Sequence, residues 1–346
     1  MKNKLILFIS ISIMIWALIG CSQSKGSESV ADSEENSGTE EQEQNASSDY
    51  PNKPIEVIIP FQAGGSTDLV GRVIAKHASK YLPNEQTIAI INKPGATGTV
   101  GMTEVQNADP DGYTIGLATI GALSMEPAMG NTVYSHEDFS PIMSLTAASP
   151  ILLVKADAPW ETYQEWLEYV KENPGEFKYG WGGLVERIPM EVINQQEGLE
   201  TTPVVYDGSG ESTTAVLGGQ IDGAIIGDSS FAKSFIDSGE MRGLLILNNQ
   251  KPESYSDIDI PIITDIEIEL NLNPYVGFVG PKDIPEDYIN ILHDALQKTL
   301  DDPEVTEELQ KLGVEINYGD PEQFGENINS SYETTKQILE DIGMIE

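Results

Sequence analysis

Residues 61–68, Phe61-Gln62-Ala63-Gly64-Gly65-Ser66-Thr67-Asp68, combine residue types that can hold an anion without a cationic side chain. Two adjacent glycines let a ligand approach the backbone closely, and Ser66, Thr67 and Asp68 lead into apolar residues at helical spacing. The first turn of a helix carries N–H groups without intrahelical acceptors and a partial positive charge, which together favour a carboxylate or phosphate. Ser66 or Thr67 acting as a cap, with Asp68 complementing the dipole, explains the hydroxyls and the acid but not the paired glycines. The loop lacks the lysine and the glycine spacing of a phosphate-binding P-loop, which argues against nucleotide hydrolysis.

Other chemistry finds little support. His77, His136 and His293 stand far apart, with no HxxxH spacing and no cysteine partner, so neither a metal nor another cofactor is expected. No Ser-His-Asp order comes with a nucleophile elbow. An exported enzyme acting on carboxylates would need a general base, and Asp68, Asp207 and Asp228 are the candidates. Each reads better as a helix cap or as a group that receives an ammonium, so no catalytic residue is expected. Trp160 and Trp166 read as surface and helix-packing residues rather than ligand stackers. The net charge of −37, from 56 acids against 19 bases, argues against binding to nucleic acid or an anionic membrane surface. Such a charge suits salty or alkaline surroundings.

The elements that must position the glycine loop follow from the hydrophobic pattern. An aliphatic strand over 55–59 precedes the loop, and Leu69, Val70, Val73, Ile74 and Ala78 give the following helix one buried face. Strands are predicted over 87–91, 114–118, 151–155, 177–179, 202–205, 223–226, 244–247 and 275–279. Helices are predicted at 162–172, 189–196, 211–217, 230–237, 286–300, 304–312 and 321–342. This β/α alternation predicts mostly parallel sheets flanked by helices, arranged as two α/β lobes with a cleft beyond the carboxyl ends of the strands. The expected boundaries are 51–150 with 273–346 for lobe 1 and 151–272 for lobe 2.

Two segments before residue 51 are expected to add nothing to the fold. Lys2 and Lys4 precede an apolar run that closes on "LIGC", so residues 1–21 resemble a bacterial lipoprotein signal. In such signals the cysteine, here Cys21, is lipidated and becomes the mature N terminus. Cys21 is the sole cysteine, which rules out an internal disulfide. Residues 22–49 are rich in Ser, Glu, Gln and Asn and read as a disordered acidic tether.

Five segments in order, "YPNKPIEVIIPFQAGGSTD", "INKPGATGTVG", "ADPDGYTIGLAT", "HEDFSPI" and "LGGQIDGAI", resemble the substrate-binding proteins of tripartite tricarboxylate transporters, the Bug-type solute receptors. The resemblance runs over residues 50–345. It implies a two-lobed periplasmic-binding-protein fold of type II and an extracytoplasmic, lipid-anchored, monomeric receptor. That receptor would capture a small di- or tricarboxylate, or a related carboxylate, and deliver it to transmembrane permease subunits. A sensor presenting the same ligand to a membrane kinase is the alternative within the binding class. Carried over residue by residue, the first binding loop is residues 61–68, with Thr119 and Gly121 lining the same lobe. The second is "YGWGGLVERIP", contributing Trp181, Gly182, Gly183 and Arg187. Tyr206 and Asp207 stand in a turn where the family has an aromatic and a basic residue, and Tyr275 where a cleft tryptophan is usual. Asp228 joins the candidates as a group facing the cleft. The second loop departs from the family's serine- and glycine-rich form, and Asp207 replaces its usual lysine, so substrate identity does not carry over.

Arg187 draws particular interest because the chain is poor in bases and Pro189 is expected to open the next helix. A cation there is unfavourable unless something anionic compensates, and a ligand carboxylate would do so. The lipoprotein reading gives a direct test. Cys21→Ser should move the protein from the membrane fraction to the soluble fraction on cell fractionation, and retention in the membrane would refute the lipid anchor.

Overall fold

The computed structural model describes residues 49–346 except 148, 271 and 273. Cys21, the signal segment 1–21 and all but the last residue of the tether 22–49 lie outside the described residues. The strands are β1 (Ile55–Ile59), β2 (Ile88–Asn92), β3 (Thr114–Thr119), β4 (Phe139–Ala147), β5 (Ile151–Lys155), β6 (Lys178–Trp181), β7 (Thr202–Val205), β8 (Gly223–Ile226), β9 (Met241–Ile246), β10 (Tyr275–Pro281) and β11 (Ile316–Gly319). The α-helices are α1 (Ser66–Ala78), α2 (Thr99–Gln106), α3 (Glu126–Ala128), α4 (Tyr163–Glu172), α5 (Leu184–Glu197), α6 (Ser209–Leu217), α7 (Ser229–Asp237), α8 (Glu286–Leu300), α9 (Pro303–Lys311) and α10 (Pro321–Asp341).

They build two mixed sheets, ordered β11-β4-β10-β3-β1-β2 and β7-β6-β8-β5-β9. β1 pairs in parallel with β2 and β3, and β6 with β7 and β8. β10 runs antiparallel between β3 and β4, and β5 antiparallel between β8 and β9. Most strands of each sheet therefore point one way, as the β/α alternation implies. The reversed strand in each sheet interior is the one that follows directly from the other sheet: β5 comes after β4, and β10 after β9. Those crossings explain why the sheets are mixed.

Two strands escape the hydrophobic pattern, β4 and β11. β4 has Pro141 within it, and its pairing with β10 shifts register beside that residue, between Phe278 and Val279. β11 is short and mostly exposed, with little apolar signal. One helix start is also displaced. α5 begins at Leu184, not at Pro189, which sits inside the helix.

Three helices away from the cleft, α4, α9 and α10, begin on side-chain caps. Thr162 Oγ1 accepts from the Glu165 N–H at 3.2 Å, and Asp302 and Asp320 cap α9 and α10, each followed by proline at the first helical position. The core has an apolar cluster on each sheet, with Val57, Ile74, Leu117, Phe278 and Leu296 in one and Leu153, Ile226 and Ile246 in the other. A third cluster joins the two sheets, linking Leu123 and Met125 to Trp181, Leu184 and Val185.

Trp160 and Trp166 are both buried, Trp166 completely, with its ring edge-on to Phe177 at 5.4 Å. They pack the core beneath α4 and stack on no ligand surface. Trp166→Ala should therefore lower the unfolding free energy by about 3–5 kcal/mol in chemical denaturation. A loss below about 1 kcal/mol would mean that the site is not packed as described.

Candidate functional site

A cavity of about 540 Å³ opens where the carboxyl ends of β1, β3, β6, β7 and β8 meet the amino end of β10. Phe61, Gln62, Ala63, Gly64, Gly65, Ser66 and Thr67 form one side, with Thr119 and Tyr275. Gly182, Gly183, Tyr206 and Asp228 form the other. These thirteen are sequence-predicted residues that the fold brings together on one surface. Val185 and Glu186 of the expected second loop and Gly208, Ser209 and Gly210 of the expected turn share that surface without having been singled out, and the pattern missed Glu211, Thr214, Ala215, Gln220, Gly227, Pro274 and Val276 there.

Three helices aim their N termini at this cavity: α1, α5 and α6. Each begins on a glycine, Gly65, Gly183 or Gly208, and none has a side-chain cap hydrogen bond. Each also carries an acid three residues after that glycine, and the acid reaches back four residues. Asp68 Oδ2 accepts from the Gly64 N–H at 2.8 Å, and Glu211 Oε2 from the Asp207 N–H at 3.1 Å. Glu186 Oε2 accepts from the Gly182 N–H. This is the acidic half of a capping box without its hydroxyl half. The acid fixes the loop before the helix and leaves first-turn N–H groups open towards the cavity, although in α5 the Glu186 N–H bonds Gly183 O at 3.0 Å. The signal was present in sequence as G-S-T-D, G-L-V-E and G-S-G-E, of which only the first was read.

The glycines serve distinct needs. Gly64 has φ of +85°, a left-handed conformation that favours glycine, whereas Gly65 is extended at φ −78° and a Cβ there would only touch Gln62 O at 3.5 Å. Backbone geometry therefore does not explain the bare Gly65; its position on the cavity wall does. Gly182 packs directly on Gly208, where a Cβ would fall 2.7 Å from the Gly208 Cα. Gly208 in turn approaches Phe61, so the α6 loop meets the α1 loop across the cavity.

The acids differ in electrostatics. Burial alone would raise the Asp68 carboxyl, but hydrogen bonds from Arg72, the Gly64 N–H and Asn92 outweigh it and hold the group below its usual range. No cation among the described residues offsets the charge of Glu186. Burial pushes its carboxyl up to about 7, against the pull of hydrogen bonds from the Gly182 and Gly227 N–H groups, the Ser209 hydroxyl and the Gly183 N–H. The Gly227 and Ser209 bonds measure 2.8 and 3.2 Å. Asp228 caps α7 by accepting from the Ser230 N–H at 2.9 Å, and burial raises its carboxyl also.

Five expected site residues stand off the cavity surface. Asp68 lies behind its loop, held by Arg72 and Asn92. Gly121 sits in a π-helical turn and packs on Val185, where a Cβ would come within 3.2 Å of Cγ1. Trp181 is buried with the Arg187 guanidinium 5.2 Å from its ring centroid. Arg187 Nε donates to Glu191 at 3.1 Å. Because α5 starts at Leu184, Arg187 already belongs to the helix and is neutralised one turn further on. Asp207 contributes only its N–H to Glu211. Far from the cavity, His77, Asp302 and Glu304 gather closely enough to suggest a metal, but Lys80 Nζ stands 3.2 and 3.0 Å from the two carboxylates and balances their charge.

Two α/β sheets with ligand-facing loops at their carboxyl ends define a solute-binding protein of the periplasmic type. Residues 70–344 match the tripartite tricarboxylate transporter family receptor, and the chain belongs to that family. It is 30% identical over 297 residues to the UPF0065 protein in the gbd 5′ region of Cupriavidus necator, covering 85% of this chain and 89% of that one. The periplasmic binding protein BugD superposes with a TM-score of 0.78 at 26% identity, over 85% of this chain and 99% of BugD. MatC from Rhodopseudomonas palustris, solved with bound malate, shares the fold at 23% identity and a TM-score of 0.76, over 84% and 100% of the two chains. Receptors of this family are transport components rather than enzymes. No helix among the described residues is long and apolar enough to cross a membrane.

Glu186 supplies a pH test of the site. Its folded pKa of about 7 exceeds the ordinary 4.5, so the folded state holds the proton more tightly. The resulting stabilisation is complete below pH 4.5 and is lost as pH rises through 7. Glu186→Gln does not titrate. The unfolding free energy of wild type minus that of the variant should therefore fall by about 3 kcal/mol between pH 4.5 and 8 in urea denaturation. A flat difference would place the Glu186 carboxyl at its ordinary value.

Proposed function

We propose that this chain is an extracytoplasmic, lipid-anchored solute receptor that closes on a small carboxylate and delivers it to a transmembrane permease. The observation that carries the reading is the convergence of three glycine-capped helix N termini, from both sheets, on one cavity. Such termini stabilise an anion by free N–H groups and aligned peptide dipoles, and need no lysine or arginine. Membership of the receptor family supports the transport role, and malate in the related MatC supports a small carboxylate as the class of ligand.

On this reading residues 51–150 with 273–346 form one lobe and 151–272 the other. Cys21 carries the lipid, the acidic tether 22–49 spans from membrane to receptor, and the monomer works without a cofactor. The ligand carboxylate rests on the N–H groups of Ser66 and Thr67 and of the first turn of α6, with Phe61, Tyr206 and Tyr275 enclosing its body. Gripping from both lobes at once is satisfied only in the closed state, which couples binding to closure.

The test is to purify the protein without stripping it, denature it, and identify what is released by mass spectrometry. A small carboxylic acid is expected; a released ligand with no acidic group would refute the reading. Gly65→Val provides the control. Its side chain enters the cavity, so it should come through purification empty, with a melting temperature close to wild type. If Gly65→Val still carries the wild-type ligand, the first loop is not part of the site.

A further inference from the structure

The carboxylates that line the cavity are Glu186, Glu211 and Asp228, with no lysine, arginine or histidine among the described lining residues. Glu211 and Asp228 are committed to their own helix starts. Glu186 is different, because its carboxylate draws on three elements at once. It takes the N–H of Gly182 ahead of α5, the N–H of Gly227 at the end of β8 and the hydroxyl of Ser209 in α6. All three donors belong to residues on the cavity wall. They form the second sheet's ready-made anion site, and it is filled by the chain's own carboxylate.

That occupancy limits what a ligand can present. One carboxylate can use the free N–H groups of α1 and α6, which are brought together where Gly208 approaches Phe61. A second carboxylate directed at Gly182, Gly227 and Ser209 would meet donors already engaged and a buried acid with no compensating cation among the described residues. Two like charges at such close range repel, whereas a cationic group beside Glu186 gains a charge-assisted hydrogen bond. We propose that Glu186 is the specificity-determining residue of this site, and that the ligand is a carboxylate bearing an ammonium group, an amino acid or related zwitterion, rather than a di- or tricarboxylate. The proposal rests on the carboxylate-receptor reading above and narrows it.

Matched ligand pairs test it on the full-length protein, purified in detergent and dialysed free of ligand. Isothermal titration calorimetry compares succinate with β-alanine, glutarate with 4-aminobutyrate and adipate with 5-aminopentanoate, each pair differing only in one carboxylate replaced by an ammonium. Aspartate, alanine and citrate complete the panel. At least one amino carboxylate should bind about ten-fold or more tightly than its diacid twin. Glu186→Ala, which empties the α5-side donors, should weaken the amino carboxylate and strengthen the diacid. Glu186→Gln, which keeps the volume, should also lose the preference if the alanine variant fails to fold. Equal or tighter binding of diacids or citrate by the wild type would overturn the proposal and leave the receptor reading standing. An unchanged preference in a folded Glu186 variant would likewise overturn it. Failure of every carboxylate in the panel to bind would overturn both.

Discussion

The site depends on one repeated local arrangement, a glycine at the start of a helix followed three residues later by an acid that folds back over the entering loop. A full capping box would satisfy the end of the helix internally. Here the hydroxyl half is missing, so Asp68, Glu186 and Glu211 secure the loops of α1, α5 and α6 while the helix ends stay chemically open. Glycine also removes the side chain that would stand between those ends and a ligand. α2 begins on a glycine too, Gly98, but has Gly101 rather than an acid at the corresponding place, and it stands off the cavity. The pairing of glycine with acid, not glycine alone, marks the helix starts that line the cavity.

The architecture brings these starts together. Each sheet has one strand, β1 or β6, flanked by two parallel neighbours, and the helices leaving those strands begin at their carboxyl ends. The reversed strands β5 and β10 fill the middle of the sheets, and β10 enters at the cavity edge with Tyr275. A shared apolar cluster around Leu123, Trp181 and Val185 then ties the two sheets together behind the site. Within this common plan the three acids have diverged electrostatically. Asp68 has Arg72 and stays ionised, whereas Glu186 is enclosed without a cation and is held near neutrality in pKa.

Much of the fold was legible because apolar residues in β1, β5 and β8 are nearly continuous and those in α1 and α8 recur at helical spacing. β4 was lost because Pro141 and the register shifts opposite it break the strand pattern. α5 was shortened because Pro189 reads as a helix opener, although it sits within the helix. The first cavity loop could be read directly, since two glycines and three polar residues lead into a clear helix. Glu186 could not be read by the same means: a glutamate in a run of mixed residues looks like surface charge until the fold closes Gly227 and Ser209 around it. Arg187 was overvalued for the converse reason, because its partner Glu191 lies one helical turn away and is evident only once the helix is known to start at Leu184.

The position of β10 bears on the order in which the molecule can assemble. Residues 151–246 contain every strand of the second sheet, whereas the first sheet is divided, and β10 lies in its centre, between β3 and β4. As the chain emerges N terminus first, the earlier half has made β1 to β4 but has nothing to join β3 to β4. The second sheet can form in full before that gap is closed. Until residues 275–281 arrive, β3 and β4 present open hydrogen-bonding edges with apolar faces, the kind of surface that recruits other chains. The receptor's most vulnerable moment is therefore a half-made first sheet beside a finished second one, and a chaperone that shields strand edges would act there.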